Sequence, residues 1–126
     1  MNYQNNVQYG SLKNKVAVIT GGASGIGEEL VRAYVAQGAK VAFIDFDRAA
    51  GQRLADELHC LFLFCDVTQL GQLKTCFDEI SGQLGSVDIL INNAGSDDHH
   101  KIEDLTEEYF NNRINVNLRH QLLAIQ

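Results

Sequence analysis

A doubly wound parallel α/β sheet is the fold class that this sequence predicts, and three observations predict it. Short apolar runs recur along the chain without polar alternation, which is typical of strands covered on both faces by helices. Stretches with apolar residues at helical spacing separate these runs. The first run, Val16 to Ile19, opens directly into a glycine-rich turn. The order β-α-β-α-β-α-β-α, joined by right-handed crossovers, gives the strand order 3-2-1-4.

The turn after the first strand contains three glycines with separate mechanical roles. Gly21 permits a tight turn off the strand, Gly25 lets the backbone approach a pyrophosphate, and Gly27 lets the next helix pack closely on the sheet. An ordinary glycine-rich loop is the alternative for this pattern in isolation. The context favours a phosphate-binding turn, because an apolar strand precedes it and a helix follows it.

The helix after this turn begins near Gly25 and ends at Gly38. Its predicted buried face contains Ile26, Leu30 and Tyr34. The first turn of such a helix offers unpaired N–H groups and the positive end of the helix dipole to phosphates.

The second strand, Lys40 to Ile44, finishes on Asp45, which lies 18 residues after Gly27. This is close to the spacing of the acidic residue that binds an adenosine ribose, so we predict dinucleotide binding. Asp45 can accept hydrogen bonds from both ribose hydroxyls of NAD, whereas it would repel a 2′-phosphate. The turn has Ser24 and no basic residue to bind that phosphate, so NAD is predicted over NADP. A strand-end cap is the alternative role for Asp45.

The remaining strands are predicted at Leu61 to Cys65 and Val87 to Ile91. Three helices are predicted to begin at the capping residues Asp47, Thr68 and Thr106, and a last helical stretch runs to the C-terminus. Residues 1–10 form a flexible polar leader, and residues 11–126 form one NAD-binding domain.

Composition excludes several classes of function. The net charge of −6 argues against nucleic acid or an anionic membrane as the main partner, since both are bound through basic patches. Apolar stretches such as Leu61 to Cys65 are too short to span a bilayer, and residues 1–10 have no signal-peptide core. A cytoplasmic location follows as the expectation. Cys60, Cys65 and Cys76 show no C-x-x-C pattern and are interpreted as buried thiols.

The glycine spacing narrows the function further. The segment Thr20 to Gly27 reads T-G-G-A-S-G-I-G, with three residues between its first two glycines where the usual dinucleotide fingerprint has one. This pattern resembles the short-chain dehydrogenase/reductase family. The resemblance continues through Asp66-Val67, Asn92-Asn93-Ala94-Gly95 and Asn117-Leu118, so it covers nearly the whole chain from Leu12 onward. It implies a Rossmann-type sheet, of which this chain is the N-terminal, cofactor-binding part.

The resemblance also assigns the rest of the cofactor site. It places the Asp66 carboxylate near the adenine amino group and Val67 against the ring, although a helix-capping loop is the alternative. Small residues at the end of the fourth strand leave room for a ribose, and the amides there can tie neighbouring strand ends together. The predicted cofactor-binding residues are therefore Gly21, Ser24, Gly25, Ile26, Gly27, Asp45, Asp66, Val67, Asn92, Asn93, Ala94 and Gly95.

Asn117 resembles the asparagine of the family's Asn-Ser-Tyr-Lys catalytic group, where its backbone helps to hold a water in the proton relay. As an isolated residue it would be an ordinary helix-surface asparagine. The family places its serine and its Tyr-x-x-x-Lys beyond this asparagine, and this chain ends at Gln126. Tyr109, with Arg113 four residues later, precedes Asn117 and is not accepted as a substitute. We therefore expect the chain to be truncated before those residues and inactive by itself.

The segment Asp97-Asp98-His99-His100 contains two carboxylates and two imidazoles. Adjacent loop residues rarely converge on one ion, so a solvated loop is favoured and no metal site is predicted. The run from Asn92 to Glu103, with Asn117 to Gln121, resembles the family's aldose 1-dehydrogenases, which act on pentoses and deoxyhexoses. In that branch this loop lies at the rim of the substrate pocket, where polar residues suit a polyol.

Two classes of function remain from the sequence. The chain is the cofactor-binding half of an NAD-dependent alcohol or sugar dehydrogenase, or it is a nucleotide-binding module without turnover. A methyltransferase on a similar sheet is disfavoured by the glycine spacing. The resemblance also implies a homo-oligomer or self-association, in which the last helix forms part of a subunit interface.

Overall fold

Four parallel strands form one sheet in the order β3-β2-β1-β4 in the computed structural model, which describes residues 7–126. The strands are β1 (Val16–Thr20), β2 (Lys40–Asp45), β3 (Leu61–Phe64) and β4 (Ile89–Ile91). The predicted fold class and strand order are therefore confirmed. The largest difference in a strand boundary is at the start of β4. There the Asp88 carboxylate accepts a hydrogen bond from the Val16 N–H (2.9 Å), and the regular ladder begins at Ile89, two residues after the predicted start at Val87.

Both faces of the sheet are covered by helices, which explains the continuous apolar runs. Helices α1 (Gly25–Ala36) and α2 (Arg48–Leu58) cover one face, where Ile19, Val41 and Phe43 are buried. Helix α3 (Leu70–Leu84) covers the other face, where Val18, Ala42 and Ile44 are buried. Successive residues of β1 and β2 thus point into two different cores, and neither strand has a polar face.

The buried stripe of α1 is shifted by one residue from the prediction. Ile26 is 75% exposed, so its predicted place in the core is wrong, while Gly27 and Val31 are the buried residues of this helix. Leu30 and Tyr34 pack partly against the core, as predicted. The shift follows from the close approach of Gly27 to the turn before the helix, which turns Ile26 towards solvent.

Two of the three predicted helix caps are confirmed. The side chain of Asp47 accepts a hydrogen bond from the Ala50 N–H (3.0 Å) at the start of α2, and Thr106 does the same for the Tyr109 N–H (3.1 Å). The prediction for Thr68 is wrong, because Gln69 is the N-cap of α3 and the Thr68 hydroxyl donates to the Asp66 carboxylate (2.7 Å). Helix α3 therefore begins at Leu70, one residue later than a cap at Thr68 would start it.

The C-terminal part of the chain is helical from Glu107 onward. Helix α4 (Glu107–Ile114) continues through a π-helical segment, Asn115–Arg119, into helix α5 (His120–Ile125), which packs against α3. The sequence predicted helix here but not the π-helical turn. Four apolar side chains at four-residue spacing are exposed along this rod, and we call them the apolar strip: Phe110, Ile114, Leu118 and Leu122.

All three cysteines are free thiols. Cys65 and Cys76 are buried, as the sequence predicts, whereas Cys60 is only half-buried. Burial raises the pKa of the Cys60 thiol to about 11 and that of Cys65 to about 12. These two thiols are therefore protonated, and weak as nucleophiles, at neutral pH.

The predicted leader, residues 1–10, lies partly outside the described residues, which begin at Val7. The side chain of Gln37, after α1, donates to the Val7 carbonyl (2.9 Å) and accepts from the Tyr9 N–H (2.8 Å). The described end of this segment therefore contacts the C-terminal end of α1. Within residues 7–126, no helix has the length and apolar character needed to cross a bilayer.

Candidate cofactor site

The carboxyl ends of β1, β2 and β4 meet at one edge of the sheet, where the predicted cofactor residues lie. The Gly21 N–H donates to the Ile44 carbonyl (2.8 Å), so the turn after β1 lies against the end of β2. Gly21 has a φ of +68°, and a Cβ there would stand 2.9 Å from the Cα of Ala94. Both the backbone conformation and the close approach require glycine.

Gly25 and Gly27 serve different purposes at the start of α1. Gly25 has a φ of +56°, and the direction of its missing Cβ is open for 4 Å. A Cβ on Gly27 would instead collide with the Gly21 carbonyl. Ser24 is the N-cap of α1, yet its side chain makes no capping hydrogen bond, and Ser24 and Ile26 are both exposed. The first turn of α1 therefore presents unpaired N–H groups to an open surface, as an anion site needs.

Asp45 lies at the end of β2 with only 9% of its surface exposed. One carboxylate oxygen accepts a hydrogen bond from the Ala23 N–H (3.0 Å) in the glycine turn, and the other accepts from the Asp47 N–H (2.9 Å). A carboxylate offers about four acceptor positions, so both oxygens retain capacity. Asp45 is thus fixed against the glycine turn and can still accept hydrogen bonds from hydroxyl groups.

The segment Asn92 to Gly95 is tied to the end of β1. The Asn93 side chain donates to the carbonyls of Thr20 (3.1 Å) and Gly21 (3.0 Å), which is the link between strand ends that the sequence suggested. The Thr20 hydroxyl accepts hydrogen bonds from the Asn93 and Ala94 N–H groups, both at 3.0 Å. The glycine turn and this segment therefore form one rigid unit.

Asn92 has a different environment from its neighbour. Its side-chain oxygen is buried and has no hydrogen-bond partner among residues 7–126. Leaving such an acceptor unpaired costs about 1–3 kcal/mol, so the stability of this part of the fold does not explain Asn92.

Asp66 and Val67 follow β3 at the same edge of the sheet. One oxygen of the Asp66 carboxylate accepts hydrogen bonds from both the N–H (2.9 Å) and the hydroxyl (2.7 Å) of Thr68. The Asp66 N–H donates to the side chain of Gln72 (3.2 Å). These contacts belong to the loop before α3, and they leave the second carboxylate oxygen of Asp66 for another donor.

Asn117 lies in the π-helical segment and faces the same part of the site. Its side-chain oxygen accepts a hydrogen bond from the Ser96 N–H (2.7 Å), and a Cβ on Gly95 would stand 2.9 Å from that oxygen. The Asn117 carbonyl accepts a hydrogen bond from the Gln121 side chain (2.8 Å). The side chain of Asn117 therefore holds the backbone after Gly95, and its carbonyl oxygen already accepts one side-chain hydrogen bond.

His120 is fully buried three residues further along the helix. Its Nε2 is 3.2 Å from the Ala94 carbonyl, and because a carbonyl can only accept, Nε2 carries the proton. Burial lowers the pKa of His120. The imidazole is thus neutral near pH 7, and it donates a hydrogen bond to the segment Asn92 to Gly95.

The loop Ser96 to Lys101 lies against α4. The Tyr109 hydroxyl donates to the Asp98 carbonyl (3.1 Å), and the His100 ring stacks on the Tyr109 ring with 3.9 Å between centroids. Among the described residues, no three histidine, cysteine or acidic side chains come close enough to hold a metal ion.

One tyrosine of the chain does have a lysine four residues later. Tyr9 and Lys13 have this Tyr-x-x-x-Lys spacing, which the sequence interpretation overlooked. They flank the 3₁₀ turn Gly10–Leu12, before β1, where the Tyr9 N–H binds Gln37 at the end of α1. This is the edge of the sheet opposite the glycine turn, so the pair cannot take part in chemistry at the candidate site.

Sequence reasoning missed three residues that shape this site. Thr20, Arg113 and His120 hold the segment from Asn93 to Ser96 through side-chain contacts. Thr20 alone had a sequence signal, because a hydroxyl at the end of a buried strand needs a partner.

The chain matches the family of the short chain dehydrogenases over residues 15–126. It is 46% identical over 123 residues to the D-xylose 1-dehydrogenase of Caulobacter vibrioides, covering 94% of this chain and 48% of that protein. It is 35% identical over 125 residues to a probable galactose dehydrogenase of Rhizobium meliloti, covering 94% of this chain and 49% of that protein. This chain thus spans about half the length of the curated relatives it matches.

The fold has a counterpart among solved structures. A structure described as a short-chain dehydrogenase from Novosphingobium aromaticivorans superposes with a TM-score of 0.85 at 29% identity, covering 90% of this chain and 44% of that chain. The family match over most of the chain, the shared fold and the glycine turn all agree. The chain belongs to the short-chain dehydrogenase family, whose members are oxidoreductases that use nicotinamide cofactors.

Proposed function

We propose that this chain supplies the cofactor-binding part of an NAD-dependent oxidoreductase, which transfers hydride between NAD and a sugar or alcohol. The observation that carries the proposal is the Asp45 carboxylate, which hydrogen-bonds the Ala23 N–H (3.0 Å) at the end of β2. This contact joins a ribose-binding carboxylate to a phosphate-binding turn, the two parts that an adenine dinucleotide needs.

Each of the other groups of site residues would bind a different part of the cofactor. Gly21, Ser24, Gly25, Ile26 and Gly27 would hold the pyrophosphate at the start of α1, and Asp66 with Val67 would hold the adenine. Asn92 to Gly95 would border the second ribose. The nicotinamide ring would supply the hydride chemistry, and these residues would hold the remainder of the cofactor that carries it.

The preference for NAD over NADP rests on charge. A 2′-phosphate at Asp45 would face a carboxylate that is already buried, in a region of low dielectric constant. Arg48, three residues after Asp45, lies over the Phe64 ring, with its guanidinium carbon 4.2 Å from the centroid. Within residues 7–126 the Asp45 carboxylate accepts only from the Ala23 and Asp47 N–H groups and forms no ion pair with Arg48.

Replacing Asp45 with alanine is expected to weaken NAD binding by about 1–3 kcal/mol, because the variant loses a charged hydrogen-bond partner of the ribose. It should also narrow the preference for NAD over NADP. Saturation-transfer NMR or calorimetry with each cofactor measures both effects, even where binding is weak.

Two further variants serve as controls for Asp45. Asp47→Ala removes an equal charge two residues away and should leave both affinities unchanged, although it removes the cap of α2. Asp45→Asn retains an oxygen that can accept from the Ala23 N–H, so it separates loss of charge from collapse of the turn. Equal binding of NAD and NADP to the unmutated chain would count decisively against the proposal.

Asn117 is the catalytic residue that we propose within this chain, acting through its backbone carbonyl on a water of the proton relay. The one Tyr-x-x-x-Lys pattern of the chain lies at the opposite edge of the sheet, which supports the alternative that these 126 residues bind nucleotide without turnover by themselves. An enzyme assay with NAD and an aldose distinguishes the alternatives. Catalysis by the 126-residue chain above the rate of cofactor and substrate alone would overturn the proposed inactivity.

We propose a small aldose as the substrate, oxidised at its anomeric carbon. The similarity to D-xylose 1-dehydrogenase and the polar loop Ser96 to Lys101 support this choice. The full natural chain, assayed with NAD against pentoses, deoxyhexoses, steroids and acyl thioesters, should be active on the aldoses. Activity confined to the hydrophobic substrates would exclude this proposal.

We also propose a cytoplasmic location and a homo-oligomeric state. The three reduced cysteines suit a reducing compartment, and the exposed apolar strip suits a subunit interface. Neither nucleic acid nor a membrane is proposed as a partner, given the net charge of −6.

A further inference from the structure

Three side chains on one face of the C-terminal helical rod hold the backbone that follows β4. Arg113 donates to the Ser96 hydroxyl (2.9 Å), Asn117 accepts from the Ser96 N–H (2.7 Å), and His120 binds the Ala94 carbonyl (3.2 Å). Their spacing of four and three residues places them one above another on a helix. The backbone from Ala94 to Ser96 is thus held by one face of the helical rod. Of the three side chains, Arg113 lies nearest to the loop that follows Ser96.

Arg113 differs from the other two because it also reaches into the loop. Its side chain is 22% exposed, and the nitrogen that binds Ser96 also lies 3.4 Å from the Asp98 carboxylate. The other terminal nitrogen donates to the Asn112 side chain (2.7 Å), and the guanidinium lies 5.3 Å from the centre of the Tyr109 ring. A planar fork can reach these partners together, whereas the single ammonium of a lysine cannot.

The anchored positions of the loop alternate. Ser96 and Asp98 bind Arg113, the Asp98 carbonyl binds Tyr109, and the His100 ring stacks on Tyr109. The side chains of Asp97 and His99 make no hydrogen bond to the described residues, and both residues are exposed. Ser96, Asp98 and His100 are therefore held by contacts with α4, whereas the side chains of Asp97 and His99 are not.

We propose that Arg113 is a positioning residue, which fixes the loop Ser96 to His100 in one conformation and so determines how Asp97 and His99 meet a hydroxylated substrate. The structural part of this proposal stands on the contacts of Arg113 alone. The part that concerns the substrate rests on the proposed function as an aldose dehydrogenase.

Amide hydrogen exchange of the 126-residue chain tests the structural part. Arg113→Lys should speed the exchange of the Ser96 and Asp98 amides, the two hydrogen-bonded amides of the loop, about tenfold, as expected when a charge-assisted hydrogen bond is lost, without changing exchange in β1 and β2. The NMR signals of the His100 ring should also lose the upfield shift that stacking on Tyr109 causes. Arg119→Lys is the matched control, because Arg119 is exposed on the same rod and contacts only Asn115 among its described side-chain hydrogen bonds (3.4 Å).

Ser96→Ala removes one partner and leaves the guanidinium in place, so it tests the same contact if Arg113→Lys alters the fold elsewhere. It should speed exchange in the loop by a smaller factor. Unchanged exchange of the residue 96 and residue 98 amides in both variants, or an equal effect of Arg119→Lys, would show that Arg113 does not hold the loop.

Kinetics of the full natural chain test the part that concerns the substrate. Arg113→Lys should raise KM for D-xylose about tenfold, with kcat and the KM for NAD nearly unchanged. A wild type that oxidises no aldose would refute the proposed function, while the exchange result would still decide whether Arg113 holds the loop. An active wild type whose aldose KM is unaffected by Arg113→Lys would refute the inference itself.

Discussion

Replacing Gly27 with alanine is expected to destabilise the chain by more than about 3 kcal/mol, at or beyond the upper end for overpacking. The added methyl group would collide with the Gly21 carbonyl, which belongs to the backbone and cannot rotate away as a side chain could. The start of α1 must then move off the sheet, and the phosphate-binding turn moves with it. Urea denaturation followed by circular dichroism measures the loss of stability.

Gly82→Ala is the matched control for this effect. Gly82 also lies in a helix, α3, but no atom stands within 4 Å of the position that its Cβ would take. Because alanine favours a helix by about 0.5–1 kcal/mol over glycine, this variant should be slightly more stable than the wild type. Similar unfolding midpoints for the two variants would mean that the close approach at Gly27 is not required.

The second large effect that we expect is self-association of the 126-residue chain. The apolar strip exposes Leu118 and Leu122 to 58% and 74%, and β4 is an edge strand of apolar residues. Covering such surface is favourable, and an apolar edge strand can pair with another chain. Leu122→Glu should weaken the association at least about tenfold, since burying one leucine contributes roughly 1.5–3 kcal/mol.

Sedimentation velocity at micromolar concentration measures this association. Ser81→Glu is the control, because it adds the same charge at an exposed position of α3 that does not belong to the apolar strip. A wild-type chain that sediments as a monomer would refute the prediction. An equal response to Ser81→Glu would show that net charge, and not the apolar strip, controls the association.

The parts of this fold that the sequence predicts are those specified by nearby residues. The glycine turn, the strands β1 and β2 and the cap at Asp47 depend on residues a few positions apart, and the structure agrees with each prediction. Thr68 shows the limit of such local reasoning. Its hydroxyl donates to the charged Asp66 carboxylate and caps no helix N–H, so the residue type alone did not show where the helix begins.

The supports of the site could not be predicted in the same way. The sequence gives no sign that Arg113 and His120 support the site. Their partners, Ser96 and Ala94, lie 17 and 26 residues away in the chain. The π-helical segment depends on packing rather than on a residue preference, so the sequence predicted only that the region is helical. Contacts between distant segments decide such details, and a local pattern does not contain them.

The bonds of the Thr20 hydroxyl have a consequence for the order of folding. Its partners Ile91, Asn93 and Ala94 are 71 to 74 residues further along the chain. Loops of that length close slowly and at a considerable cost in entropy, whereas β1 and β2 are joined by the short α1 unit. We therefore expect the nascent chain to form its β1-α1-β2 unit early. The half of the cofactor site that comes from β4 is then the last part of this sheet to assemble.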